Sequence, residues 1–385
     1  MILHDLRLAG TNDIKSIRIE QGKIKAIAER KELENISGEI HIELNNEIIF
    51  PGFINSHDHL DFNLFPSSGN RTYNNYMEWA KDVQPGDNTI IQRILKLPLE
   101  LRVQWGMYKN LLNGFTTVVN HGKRLVTHSD MIDVFQDCYS LHSIAFEKNW
   151  RRWLINPFKN DKPVVMHIGE GTDEEAKKEI DMIIQWNKLK KKVIAVHGVA
   201  MDERHASAFA GLVWCPASNY FLLGKTANIK ELKTKVPVLF GTDSTLSSSW
   251  NIWEHFRLAK ESGELTTEEL LQSLTTTPAK VWNLAGHGEL KNDAVADIVV
   301  IRNKAGDPFI ANGPEDILLV MTKGKIRLFD SSLSDNLQKQ GLSLKNFSKI
   351  YFQDKGKFVE GDIVGLMNEI RACPDIVSFP FTVGS

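Results

Sequence analysis

Cysteine is scarce: Cys138, Cys215 and Cys373 are the only three in 385 residues. An odd number so widely spaced excludes a disulfide framework and fits a reducing cytosol, so the expected location is cytoplasmic. Charge of one sign is also lacking. The 46 basic and 48 acidic side chains leave a formal net charge of -2, which argues against nucleic acid or an anionic membrane as the principal partner. No uninterrupted apolar run approaches the roughly 20 residues of a membrane helix. The opening MILHDLRLAGTNDIKS lacks the basic-then-apolar order of a secretory signal. A small-molecule partner is left as the expectation, with self-association open.

What is present is enough for a large core. Hydrophobic residues make up 42% and charged residues 24%, near the averages for globular chains. The segment LRLAGTNDIKSIRIEQGKIKAIAE alternates with period two around a Q-G-K turn, which reads as hairpins. The same texture returns in AVADIVVIRN (294–303) and DILLVMTKGKIRLFD (316–330). Between them, short apolar strands alternate with amphipathic helices, the pattern of βα units and a parallel sheet.

Seven barrel strands are readable: EIIFPGFI (47–54), FTTVVNH (115–121), HSIAFE (142–147), PVVMHI (163–168), VIAVHG (193–198), GLVWCP (211–216) and PVLFGTD (237–243). Helix ends support the alternation. Thr266 with Glu269 forms a capping box, Asn113-Gly114 closes a helix, and DEEAKKEIDMIIQWNKLKKK starts acidic and ends basic. The expected fold is α/β: a (β/α)8 TIM-like barrel, distorted or one strand short, with a small β-sandwich domain built from both chain ends. The missing strand is expected between Asn149 and Lys162. The domain division is 1–47 and 290–330 for the small β-domain, 48–289 for the barrel, and 331–385 for a C-terminal appendage without assigned place.

The chemistry gathers at strand ends. His57 and His59 close the first strand two residues apart, so their imidazoles project to one side. His167, Glu170, His197 and Asp243 also fall at or just past C-terminal strand ends, the face where barrels of this kind carry catalytic groups. Each histidine alone is more often a hydrogen-bonded core or loop residue than a ligand. Several strands delivering ligand-type residues to one rim change those odds. Three imidazoles and a carboxylate suit one divalent metal ion, zinc before iron, with a position left for water. Asp243 could bind the metal and take the proton of attacking water, and Glu170 could carry a proton to the leaving group. His41-Ile42-Glu43 has no P-C-x-x-C after it, and Asn219 stands where a phosphate loop ending in Gly224-Lys225-Thr226 needs glycine.

In order along the chain, P-G-F-I-N-S-H-D-H, N-G-F-T-T-V-V, M-H-I-G-E-G, V-H-G, C-P-A-S-N, F-G-T-D-S, T-T-T-P-A-K-V-W-N-L and A-D-I-V-V-I run from about residue 47 to 301. This series resembles the amidohydrolase superfamily, in its deaminase-like branch with the cytosine deaminases and chlorohydrolase-related metal-dependent hydrolases. The resemblance implies His57, His59, His167 and Asp243 as metal ligands, with Asp243 also the proton acceptor. It implies Glu170 as proton shuttle and His197 as a hydrogen-bond partner of water or substrate. Asn219 is expected to shape its loop or touch substrate, with a local turn cap weighing equally. Lys148 is the one candidate for the carboxylated lysine of two-metal members, although a solvated surface lysine is its commoner fate. Residues 60–83 are expected as a lid or as a surface excursion. Arg151 or Arg152 would hold a substrate carboxylate or lie on a solvated helix face.

The activity expected is hydrolysis of a C–N bond in a cyclic substrate, by deamination of an amino-substituted heterocycle. Opening of a cyclic amide ring is the alternative, and a non-catalytic barrel ranks below both.

Overall fold

The computed structural model describes residues 1–83, 89–372 and 378–383; Cys373 lies outside the described residues. The first strands are β1 (Ile2–Leu8), β2 (Ile14–Glu20), β3 (Lys23–Ala28), β4 (His41–Glu43) and β5 (Ile48–Pro51). Then follow β6 (Phe53–Asp58), β7 (Phe115–Asn120), β8 (Asp133–Phe135), β9 (Tyr139–Ser143), β10 (Val164–Ile168), β11 (Val193–His197), β12 (Gly211–Trp214) and β13 (Val238–Phe240). The last are β14 (Ile298–Ile301), β15 (Ile317–Thr322), β16 (Lys325–Asp330), β17 (Phe347–Phe352), β18 (Lys355–Glu360) and β19 (Thr382–Val383).

β6 to β8 form one parallel sheet and β9 to β13 another, in sequence order. The two abut where the backbone amides of Thr242 and Asp243, just past β13, both donate to the His57 carbonyl at 3.0 Å. Helices fill the intervals, as at Leu99–Leu112 and Glu174–Trp186. β10 to β13 are buried along their whole length, which explains their continuous apolar runs.

Three strand expectations need correction. The eighth strand is Asp133–Phe135, whereas 149–162 carries the helix Trp150–Ile155. Three half-buried residues, the first of them an aspartate, leave too short a pattern to read. The third strand lies at Tyr139–Ser143, upstream of HSIAFE, and residues 144–146 turn away from it. Its Phe146 is 49% exposed, so that aromatic was a misleading strand marker.

The outer strands share one mixed sheet, ordered β19-β17-β18-β16-β15-β14-β5-β1-β2-β3 with β4 on β1. β5 joins the chain ends, lying parallel to β1 and antiparallel to β14. The predicted hairpins are present. Gln21-Gly22 and Lys323-Gly324 have positive φ at both positions (51° and 78°, 50° and 73°), the pattern of turns that match strand twist. Residues 331–385 extend this sheet through β17, β18 and β19, and the helix Ile363–Arg371 buries Ile363, Leu366, Met367 and Ile370.

One glycine separates the two parts. β5 belongs to the mixed sheet and β6 to the parallel one, with Gly52 between them. A Cβ on Gly52 would stand 2.2 Å from Thr116 Oγ1 and 2.9 Å from Asp297 Cβ. The EIIFPGFI run is therefore two strands, not one.

Candidate active site

The parallel strands deliver polar side chains to one end. His57 Nε2 and His59 Nε2 each lie 3.9 Å from Asp243 Oδ1. His167 Nε2 lies 3.2 Å from His57 Nε2. One nitrogen or oxygen from each of His57, His59 and Asp243 falls within 4.8 Å of the others, and the same holds for His57, His167 and His197. The structure thus brings His57, His59, His167, His197 and Asp243 to one centre, with Glu170 beside it.

Hydrogen bonds fix which atoms face that centre. The His142 carbonyl lies 2.8 Å from His167 Nδ1, so that nitrogen donates and Nε2 keeps its lone pair. Asp243 has two unlike oxygens. Oδ2 accepts from Ser218 Oγ at 2.8 Å and Ser247 Oγ at 2.9 Å, while Oδ1 accepts from the Ser244 amide and faces the histidines. Burial pushes the Asp243 carboxyl up, but His59 and His197 with the Ser218 hydroxyl outweigh it and hold the pKa below its ordinary value. Burial, reinforced by neighbouring imidazoles, keeps His57 and His167 far below the usual histidine range and hence neutral.

These groups suit a cation. His57 Nδ1 and both nitrogens of His121 are buried without a hydrogen-bond partner among the described residues. Imidazoles converging on a carboxylate are the donor set of a divalent transition metal. Backbone strain accompanies the convergence. His197 and Asp243 have φ of 71° and 55°, a left-handed conformation costly for residues with a Cβ.

His197 and Glu170 form the second half of the site. His197 Nδ1 lies 2.8 Å from Asn219 Oδ1, leaving Nε2 directed at Glu170 Oε1, 3.6 Å away. Asn219 also donates to Thr226 Oγ1, so it orients His197; it neither caps its turn nor lines the cavity. Glu170 is 6% exposed, and burial, with Asp243 and Glu179 nearby, raises its pKa well above the carboxylate range.

The cavity at this end measures about 400 Å³. His59, His167, Glu170, His197 and Asp243 form its floor; Phe62, Tyr76, Trp79, Phe146, Leu222 and Leu246 wall it. Residues 60–83 run across the mouth and supply three of those walls. They are tied down by backbone bonds from Ser68 to Leu246, Tyr73 to Leu222, Tyr76 to Glu170, and Thr172 to Asn74. The segment is a strap packed on the rim and lining the cavity.

Other candidates fall elsewhere. Lys148 is exposed in the turn after β9. Arg151 and Arg152 are exposed on Trp150–Ile155, with Arg151 stacked 4.4 Å over the Trp150 ring. Three residues near the centre escaped the sequence reading. His121 follows β7 with its ring 4.4 Å from that of His167, His142 lines the cavity, and Lys109 lies beneath the floor. His121 ends a stretch read as a strand, and that position was the available signal; His142 opens the stretch read as HSIAFE and stands near a strand C-terminus only once β9 is placed at Tyr139–Ser143. A further group, Asp133, His287 and Asp297, lies at the opposite strand ends, where Lys323 Nζ already pairs with Asp133 at 2.5 Å. It is a charge cluster between barrel strands and mixed sheet.

Fold and site together define a TIM-barrel-like α/β protein with a histidine-rich centre. A solved adenosine deaminase from Xanthomonas campestris with bound zinc is similar at a TM-score of 0.71 and 16% identity, over 97% of this chain and 98% of that one. The amidohydrolase family model matches residues 152–327. Relatives agree with the deaminase-like branch. A 5-methylthioadenosine/S-adenosylhomocysteine deaminase of Caldicellulosiruptor saccharolyticus is 25% identical over 85% of this chain and 92% of its own length. A 5'-deoxyadenosine deaminase of Methanocaldococcus jannaschii is 24% identical over 74% and 82%.

Proposed function

We propose that the protein is a metal-dependent hydrolase that deaminates an amino-substituted heterocycle. The observation carrying this reading is the convergence of His57, His59, His167 and Asp243 at one end of a cavity whose floor includes Glu170, a carboxyl that burial raises well above its ordinary range. His57, His59, His167 and Asp243 would hold one divalent ion, with zinc preferred because a similar solved structure is described with bound zinc. The ion, when bound, supplies Lewis acidity and makes water nucleophilic at neutral pH.

The chain's residues divide the proton handling. Asp243, ionised and placed against the histidines, accepts a proton from the attacking water. Glu170 gives its proton to the ring nitrogen next to the carbon under attack. The amino group leaves as ammonia after taking the proton held by Asp243, and the hydroxyl left on the ring carbon returns its proton to Glu170 as it becomes a carbonyl. His197, fixed by Asn219, faces Glu170 and holds the developing oxygen by hydrogen bonding. Phe62, Tyr76, Trp79 and Phe146 suit a flat ring, and relatives named for adenosine derivatives support a 6-aminopurine nucleoside among such rings.

The same reading extends to the architecture. The two parallel sheets are taken as one (β/α)8 barrel joined at β13 and β6, built mainly by residues 48–289. The mixed sheet is taken as a small β-sandwich from residues 1–47 and 290–330, continued by 331–385. Its support is that the sheet curls back: Ile24 donates to Ala294, and Ala296 to Gly22.

The test is an ammonia-release screen of the zinc-loaded chain against aminopurine nucleosides, nucleobases and triazines, beside a His57→Asn control. Ammonia from at least one class, lost in the control, is expected. A ring-opened acid without ammonia, or no turnover at all, would refute it.

A further inference from the structure

Asp58 sits between the two histidines that open the site, and strand alternation turns it away from them toward the helix Leu99–Leu112. There it meets Lys109. Both side chains are 0% exposed, with Nζ 3.3 Å from Asp58 Oδ2. The carboxylate is fully satisfied. Oδ2 also accepts from Asn110 Nδ2 at 2.8 Å and Asn55 Nδ2 at 3.3 Å, and Oδ1 accepts from Asn63 Nδ2 at 2.8 Å.

The ammonium reaches further. Lys109 Nζ donates to Asn63 Oδ1 at 2.8 Å and to the carbonyl of Asp243 at 3.0 Å, with Thr242 Oγ1 at 3.4 Å. One buried cation thus touches the strand end bearing His57 and His59, the start of the strap, and the strained backbone of Asp243. Burial pulls the Lys109 pKa below its ordinary value, and Asp58 opposes that pull.

We propose that Lys109 is a positioning residue for the cation site, setting the separation between the His57 and His59 imidazoles and the Asp243 carboxylate. Three contacts carry the argument: Asp58 on one side, the Asp243 carbonyl on the other, and Asn63 bonded to both Lys109 and Asp58. No other cation is in contact with Asp58 among the described residues. Lys109 itself touches neither ring nitrogen nor carboxylate of the converging set, so its effect is through geometry. The inference rests on the proposed ligand roles of His57, His59, His167 and Asp243.

The test uses the full chain with Lys109→Met, and the double variant Asp58→Asn with Lys109→Met, which removes both charges so that no lone buried carboxylate remains. Zinc affinity is measured by chelator competition, cobalt substitution is read in the visible spectrum, and folding is checked by circular dichroism without metal. Both variants are expected to bind zinc about 10–100-fold more weakly, the usual effect of losing support behind a ligand, with altered cobalt bands. A folded variant of either kind with zinc affinity within about two-fold of the parent and an unchanged cobalt spectrum would overturn the proposal. So would failure of both variants to fold, because the pair would then serve the fold itself. If the parent chain binds no zinc, the ligand assignment fails instead, and the two failures are told apart by that single measurement.

Discussion

The oxygens of Asp243 and the proton of Glu170 decide what the centre can do. Asp243 Oδ2 is occupied by two serine hydroxyls, so Oδ1 alone is free to face the histidines. Glu170 is the complementary case: burial raises its carboxyl well above the ordinary range, which suits the proton donor proposed for it. Glu170→Gln preserves shape and hydrogen-bonding capacity but cannot cycle a proton. A fall in kcat of about 10²–10⁴-fold is expected, the ordinary worth of a general acid, while zinc content stays at the parent level. Ammonia-release kinetics with elemental analysis check both halves. Glu170, His197 and Asp243 were all legible from their places at strand ends. The serines were not, because a serine in a loop carries no signal until the carboxylate it serves is placed in space.

Among the elements, the strap over residues 60–83 depends most on contacts made far along the chain. Tyr76 Oη donates to Glu179 Oε1 at 2.8 Å, linking the strap to the helix Glu174–Trp186. Burial raises the Glu179 carboxyl to about 7, with the Tyr76 hydrogen bond pulling it partly back. That is above the roughly 4.3 of an unfolded glutamate, so between these values the folded chain holds the extra proton. The stabilisation is complete below the lower value and is lost as pH rises through the higher one. Glu179→Gln should remove this slope, which is at most about 1.4 kcal/mol per pH unit. Urea unfolding of parent and variant from acid to neutral pH measures it; identical slopes would refute the assignment. Sequence offered an aromatic-rich loop for this element, with a lid and a surface excursion weighing nearly equally, since its partners, from Glu170 to Leu246, lie far along the chain.

At the scale of the whole molecule, Gly52 is where the chain leaves one sheet for the other. The space beside it is filled by Thr116 and Asp297, and its amide donates to the Asp297 carbonyl at 2.7 Å. Gly52→Ala would overpack this junction and destabilise the chain by about 1–3 kcal/mol. A thermal melt of the metal-free variant checks the prediction, and an unchanged melting temperature would show that the junction yields freely.

The sequence by itself determined the alternation of strands and helices, the hairpins at both ends, and the strand-end positions of His57, His59, His167, His197 and Asp243. It could do so because apolar periodicity, turn residues and polar strand termini are local patterns. Only the tertiary structure decided that the eighth strand is Asp133–Phe135, that β5 and β6 part at Gly52, and that Lys109 and Asp58 meet beneath the floor. Those outcomes depend on which distant surfaces come into contact, and a pair of charges fifty residues apart shows no periodicity that would announce it.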